Sequence, residues 1–168
     1  MTKLIICSDS HGSVTALERI FQAEKDMDAA IFLGDGLRDY DRASPFANGA
    51  RLYGVSGNCD YNVMEPGEGL AAFDGVLFFY THGHMYGVKY DLDTIAQAAK
   101  ARGADVALFG HTHHALYEER DGVVLFNPGS CGRTYTGMDT YGVIVVDQGK
   151  IVSAEHKFVP GITETQNN

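Results

Sequence analysis

Apolar residues fall along this chain in short blocks, separated by polar segments rich in glycine, and some of the separating stretches carry helical rather than alternating periodicity. Residues 4–7, 29–33 and 52–55 read as buried strands. After the first, Ser13 can cap a helix on which Val14, Leu17, Ile20 and Phe21 share one face. After the second comes a weaker helical stretch that Pro45 ends. Asp74-Gly75 and Asp121-Gly122 sit between apolar runs as hairpin turns, joining residues 70–73 to 76–80 and residues 115–119 to 123–126. Between the hairpins lies a helix with Asp91 as N-cap, Leu92, Ile95, Ala96 and Ala99 on one face, Lys100 and Arg102 near its end and Gly103 as its stop. Residues 106–109 form another buried strand. Two more, 141–146 and 151–158, turn through Gln148-Gly149, the last with Val152, Ala154 and Phe158 on one side. Alternating strands and helices in the first half predict an α/β layered fold. We expect one domain over residues 1–162 and a polar, frayed tail over 163–168.

Composition narrows the function. With 168 residues, 45% hydrophobic and 21% charged, the chain is of ordinary globular make-up. Its formal net charge of −9 and lack of a Lys/Arg run argue against a large nucleic-acid surface. A bound metal pair could still give an acidic protein a local anion site. Cys7, Cys59 and Cys131 contain no CxxC and make no disulfide framework, which suits a reducing cytosol. The apolar run after Lys3 is too short for a signal-peptide core or a membrane span, so a cytoplasmic protein without membrane attachment is expected.

The chemistry sits at the ends of the apolar runs. The first ends in Asp9-Ser10-His11-Gly12, the second in Gly34-Asp35-Gly36 and the third in Gly57-Asn58-Cys59-Asp60. Residues 76–80 end in Thr81-His82-Gly83-His84, and residues 106–109 in Gly110-His111-Thr112-His113. Ligands of α/β folds collect outside the carboxyl ends of strands. A lone histidine after a strand reads as a solvated loop residue, and Asp35 or Asn58 alone as a turn residue. His111 and His113, alternate residues of an extended segment, would point the same way. Five such segments together predict one site. Its mixture of carboxylate, imidazole and amide groups suits manganese, iron, zinc or nickel rather than calcium. Seven groups are too many for one tetrahedral ion and fit two ions, roughly 3.5–4 Å apart, that share a carboxylate and a water.

These segments resemble the calcineurin-like metallophosphoesterase superfamily, whose pattern runs D-x-H, G-D, G-N-H-[DE], H and G-H-x-H. Here the pattern stands as Asp9-x-His11, Gly34-Asp35, Gly57-Asn58-Cys59-Asp60, His82 and Gly110-His111-x-His113, with Asn127-Pro128-Gly129-Ser130 after it. The short length and Cys59 look most like its small bacterial and archaeal phosphodiesterase branch. The resemblance implies two packed mixed β-sheets flanked by helices, a four-layer α/β/β/α sandwich. It implies one ion on Asp9, His11 and His113, a second on Asn58, His82 and His111, and Asp35 bridging them. It implies two divalent metal ions per chain, manganese first, and in-line attack by a hydroxide bridging the ions. One position departs from the pattern. Many relatives carry histidine where this chain has Cys59, and a thiol cannot bring positive charge to a phosphate. A small phosphodiester substrate is therefore expected over a dianionic monoester.

Secondary candidates surround that set. His84 can face the cleft as a substrate contact or proton donor, or be a loop histidine. Asp60 can orient a ligand histidine or serve a turn. Cys59 itself would be a redox-sensitive thiol or a bystander. Asn127 and Ser130 shape a loop beneath the site, His114 is a bystander and His156 a packed histidine. Apolar edge strands suit a homodimer. Alternative readings are a phosphomonoesterase or nucleotide pyrophosphatase with the same metals, and a non-catalytic metal-bearing scaffold like the retromer subunit that resembles these enzymes. A structural zinc protein would need closed, cysteine-rich sites.

Overall fold

The computed structural model describes residues 1–132 and 138–161. The chain opens with β1 (Thr2–Cys7), α1 (Val14–Ala23), β2 (Ala29–Phe32), α2 (Leu37–Ala43) and β3 (Arg51–Gly54). A hairpin of β4 (Glu68–Phe73) and β5 (Val76–Thr81) comes next, then α3 (Asp93–Ala101) and β6 (Val106–Leu108). The hairpin of β7 (Leu116–Arg120) and β8 (Val123–Asn127) and the pair β9 (Thr140–Asp147) and β10 (Lys150–Phe158) complete it. The strands form two mixed five-stranded sheets, ordered β10-β9-β1-β2-β3 and β4-β5-β6-β8-β7. In the first, β1, β2 and β3 run parallel and β9 lies antiparallel to β1. In the second, β5, β6 and β8 run parallel and the edges β4 and β7 antiparallel.

Side chains alternate across each strand, so one strand serves two layers. Leu4 and Ile6 of β1 meet Phe78, Leu108 and Phe126 between the sheets. Ile5 and Cys7 face outward and pack with Leu17, Ile20 and Phe21 of α1 and Tyr40 of α2. On the other sheet, Phe79 and Ala107 face Ile95, Ala96 and Ala99 of α3. Burying each such large side chain contributes about 1.5–3 kcal/mol. The direction of the apolar stripes therefore sets the layer order, and the result is the α/β/β/α sandwich.

Ser13 caps α1 as expected, its Oγ accepting the N–H of Ala16 at 3.4 Å. Both Asp-Gly pairs turn hairpins with positive φ at each residue, as a type I′ turn requires. Helix α3 starts at Asp93, with Asp91 ahead of it; the Asp91 carboxylate accepts the Asp93 N–H at 2.5 Å. The expected face of β10 needs correction. A bulge between Ile151 and Ser153 shifts the register against β9, so Ile151 packs inward with Ala154 while Val152 is 57% exposed. Phe158, at the strand's end, is 66% exposed. His156 is packed, its ring stacked on Phe126 at 4.5 Å and its Nε2 2.7 Å from the Asn127 carbonyl. All three cysteines are free. Among the described residues no helix is long and apolar enough to cross a membrane. The tail 163–168, and residue 162 at the end of the expected domain, lie outside the described residues.

Candidate metal centre

Five parallel strands, β1, β2, β3, β5 and β6, deliver their carboxyl ends to one edge of the sandwich. There Asp9, His11 and His113 form one group and Asp35, His82 and His111 a second; within each, one nitrogen or oxygen per residue lies within 4.8 Å of the others. In the first, Asp9 Oδ1 is 3.2 Å from His113 Nε2 and 3.5 Å from His11 Nε2, and the two Nε2 atoms are 3.3 Å apart. In the second, His82 Nε2 is 3.2 Å from Asp35 Oδ2 and 3.1 Å from His111 Nδ1. The groups adjoin. Asp35 Oδ2 is also 3.8 Å from His11 Nε2, and Asp9 Oδ1 is 3.9 Å from His82 Nε2.

The backbone gets these side chains there at a cost. Asp9, His11, Asp35, His111 and His113 all have φ between 44° and 70°. That left-handed conformation costs a non-glycine residue about 1–2 kcal/mol. It also corrects the reading of His111 and His113 as alternate residues of an extended segment. The Gly110–His113 loop is coiled, and its two histidines join different groups. Two glycines permit the close packing of loops. A Cβ on Gly57 would overlap Asp35 Oδ1 and come within 2.6 Å of Asp35 N, and one on Gly110 would lie 2.7 Å from Asp9 Oδ2.

Around the ligating atoms, polar groups fix position. Asp9 Oδ2 accepts the Ser8 hydroxyl at 2.5 Å and the His111 N–H at 3.0 Å. Asp35 Oδ1 accepts the Cys59 N–H at 2.8 Å, which leaves Oδ2 facing both groups. His82 Nδ1 lies 2.7 Å from the Leu33 carbonyl, which can only accept, so Nδ1 carries the proton and Nε2 presents its lone pair. Asn127 donates to the Gly110 carbonyl and Thr112 Oγ1 and accepts from Gly129 N–H, and Ser130 Oγ donates to the Asp9 carbonyl. Both shape the site's loops from beneath, as expected.

The carboxylates and imidazoles of the site shift one another's charge. Burial pushes the Asp9 pKa up, but His11, His113, His82 and Ser8 outweigh it and hold it well below the usual range. Burial also opposes ionisation of Asp35, and His82 outweighs it. For His82, burial favours the neutral ring, while Asp35 and Asp9 raise its pKa on balance. Burial, then His82 and Lys89, bring His111 down to about 4.

Not every candidate joins this set. Asn58 is exposed, its amide nitrogen 3.6 Å from Cys59 Sγ, and among the described residues it makes no hydrogen bond to either group. Asp60 does not orient a histidine. Its carboxylate accepts the backbone N–H groups of Asp35, Gly36, Leu37 and Gly57 at 2.7–3.1 Å, and so clamps the Asp35 loop. Cys59 is exposed, and burial of its sulfur with Asp35 nearby pushes its thiol pKa up, opposite to a reactive thiolate. The His84 ring lies 5.4 Å from His82 and 6.1 Å from His111, and its Nδ1 is buried with no hydrogen-bond partner among the described residues. His114 is exposed beside the loop. Sequence reasoning missed Asp39, which is buried and accepts the Ser10 hydroxyl at 2.6 Å and the Gly12 N–H at 2.7 Å. Its only signal was an acid in the first turn of a short helix. It also missed Arg38, which with His11, Asp35, Cys59 and Tyr61 lines a cavity of about 270 Å³ at the site.

The donor set fits divalent cations. Asp9 Oδ1 is buried and, among the described residues, has no hydrogen-bond partner, and paired imidazole nitrogens face each other across 3.1–3.3 Å. A cation in each group would satisfy all of these lone pairs together.

A calcineurin-like phosphoesterase superfamily domain matches residues 2–149, and the chain belongs to that superfamily. It is similar to the probable metallophosphoesterase YsnB of Bacillus subtilis, with 35% identity over 130 residues, covering 76% of this chain and 73% of that one. It is similar also to the phosphodiesterase YfcE of Escherichia coli, with 30% identity over 154 residues, covering 77% of this chain and 79% of that one. The solved YfcE structure superposes with a TM-score of 0.67 at 26% identity, over 92% of this chain and 98% of that one. A zinc complex of Vps29 from Entamoeba histolytica shares the fold, with a TM-score of 0.75 at 18% identity over 94% of this chain and 98% of that one. The chain is thus a metallophosphoesterase of the small bacterial and archaeal kind, with two candidate metal sites.

Proposed function

We propose that this protein is a metal-dependent phosphodiesterase that cleaves small phosphodiesters by in-line attack of water over two divalent ions, manganese first among them. The observation that carries this reading is the orphaned Asp9 Oδ1, set between two adjoining donor groups that Asp35 Oδ2 faces together. Asp9, His11 and His113 would hold one ion and His82 and His111 the other, with Asp35 available to both. Asn58 can complete the second group by turning its exposed amide oxygen inward. Bound ions supply positive charge to the phosphoryl oxygens and lower the pKa of water toward neutrality.

The chain's own residues do the rest. Asp60 holds the Asp35 loop through four backbone N–H groups, and Asp39 holds the Asp9–Gly12 loop. His84, whose ring lies 5.4 Å from that of His82 and 6.1 Å from that of His111, would be the group to protonate the leaving oxygen. Cys59 stands where relatives carry histidine, and a thiol is never a cation. This chain therefore brings less positive charge to the phosphate than a histidine there would, a loss that weighs more on a dianionic monoester than on a monoanionic diester and so favours diesters with good leaving groups.

The test uses metal-stripped protein assayed on bis-p-nitrophenyl phosphate and p-nitrophenyl phosphate with and without manganese. Metal-dependent release from the diester, little from the monoester and none from Asp35→Asn is the expected result. Faster turnover of the monoester would make this a phosphomonoesterase. Two bound ions per chain without turnover of any ester would make it a metal-bearing interaction module.

A further inference from the structure

A second cavity, about 520 Å³ in volume, opens on the α3 side of the metal centre, between the segment leading into α3 and the loop after β6. Val88, Leu92, Phe109 and Leu116 form its apolar walls. Val88 and Phe109 are buried in the core beneath α3, and Leu92 and Leu116 pack against that core, so the walls are preformed. Thr112 and His114 line the side nearest the site and flank His113 of the first donor group. That side is pinned: Thr112 Oγ1 accepts from the Asn127 amide at 3.0 Å and from the His114 N–H at 3.2 Å.

Lys89, Tyr90 and Asp91 define what could enter. Lys89 lines the cavity, a cation in a chain of net charge −9. The carboxylate that lines the cavity, Asp91, already accepts the Asp93 N–H at 2.5 Å. Tyr90, 95% exposed, lines it as well and offers a ring face. Apolar walls with a few fixed polar groups, at this volume, suit a small organic ligand. The cavity at Arg38 lies on the α2 side of the centre, so one phosphoryl group at the centre would have a receptacle on either side.

We propose that the α3-side cavity is a specificity site for one arm of the substrate, a flat aromatic ester group of up to nucleoside size, stacked on Tyr90 while Lys89 draws the phosphate toward the ions. This rests on the phosphodiesterase reading. Apolar contacts of this kind discriminate substrates by about 10–200-fold, and stacking on an aromatic ring adds to them.

The experiment compares phenyl p-nitrophenyl phosphate with methyl p-nitrophenyl phosphate, which share a leaving group, on manganese-loaded protein. It is run on wild type, on Ala115→Trp, which fills the cavity from an exposed position, and on Tyr90→Ala. Binding of phenylphosphonate and methylphosphonate is measured by calorimetry in parallel, and thermal melts check that each variant folds. The phenyl-over-methyl ratio in kcat/KM and in affinity should be about tenfold or more in wild type. It should fall toward one in Ala115→Trp and about threefold in Tyr90→Ala. Turnover of both diesters with no phenyl preference, or a preference that both variants leave intact, overturns the cavity assignment while the phosphodiesterase reading stands. A phenylphosphonate preference that Ala115→Trp removes, in a protein that turns over neither diester, keeps the cavity and removes the reading. Absence of both turnover and preference removes both.

Discussion

Asp9 and Glu24 are both carboxylates shut away from water, 0% and 3% exposed, and the chain treats them in opposite ways. Glu24, at the C-terminal end of α1, is complete. Its Oε1 accepts the Tyr141 hydroxyl at 2.8 Å and the Lys157 ammonium at 3.0 Å, and its Oε2 lies 2.7 Å from Lys3 Nζ. Asp9 has one oxygen satisfied and the other facing only imidazoles, with no donor. Burying a charge is tolerable when partners replace water and costly otherwise. The first carboxylate has lysine counterions held beside it; the second has only imidazoles around it, which on the proposed reading leave a place for a cation from outside. Backbone conformation divides the same way, since the metal centre concentrates left-handed residues while Glu24 ends an unstrained helix.

Mutation should separate the two sharply. Asp9→Asn should lower metal-dependent diester turnover by about 10³-fold or more, the rate equivalent of several kcal/mol of lost charge stabilisation. Its fold, read by circular dichroism, should persist. Glu24→Ala should do the reverse. Lys3 keeps Asp26 at 2.7 Å and Lys157 is 40% exposed, so the loss should cost about 1–3 kcal/mol in urea unfolding, while metal-loaded turnover per folded molecule stays near that of wild type. If the two variants behaved alike, the distinction between the carboxylates would collapse.

Metal itself gives the next contrast. Manganese at 100 times its dissociation constant should stabilise the wild type by about 2.7 kcal/mol against the chelated protein. The same addition should do little for Asp9→Asn. Asp60→Asn, which weakens the clamp on the Asp35 loop without touching an ion ligand, should lower metal affinity by about 10–100-fold as read by calorimetry. Loss of fold rather than of affinity would recast Asp60 as purely structural.

The smallest effect is a pH dependence at Glu24. Burial favours its neutral form, but Lys3, Tyr141 and Lys157 outweigh burial and hold its pKa below the ordinary value. A carboxyl depressed in the native state contributes stability that is present above its unfolded pKa, about 4.3, and lost as pH falls through the folded value. The melting-temperature gap between wild type and Glu24→Gln should therefore be full at pH 7 and close as pH falls below about 4. A gap independent of pH would show that charge is not what Glu24 contributes.

Much of the fold was legible in the sequence because it is local. The Ser13 cap, the two Asp-Gly turns and the apolar faces of α1 and α3 depend on neighbours a few residues away. The candidate metal ligands that the structure gathers were legible for a different reason: loops at strand ends carry little but chemistry, so Asp9, His11, Asp35, His82, His111 and His113 had no competing packing role to hide them. What stayed hidden was non-local or conformational. The two packed sheets came only through family resemblance, and the pairing of β9 beside β1 was not foreseen at all. The β10 bulge that exposes Val152 leaves no mark on the alternation of residue types. Asp39 and Asp60 spend their carboxylates on backbone N–H groups of other loops, an arrangement that spacing does not announce. The left-handed turns at His111 and His113 overturned an inference that assumed an extended chain.

Each donor group also straddles the two sheets. Asp9 and His11 come after β1, and Asp35 after β2, in one sheet; His82 comes after β5, and His111 and His113 after β6, in the other. On the proposed reading each ion is therefore a clasp closing one end of the sandwich, joining layers whose shared interior is apolar. A chain divided between β3 and β4 would leave three of these six residues on each fragment. Reunion of the fragments would then be paced by metal, which turns the catalytic centre into a reporter of assembly.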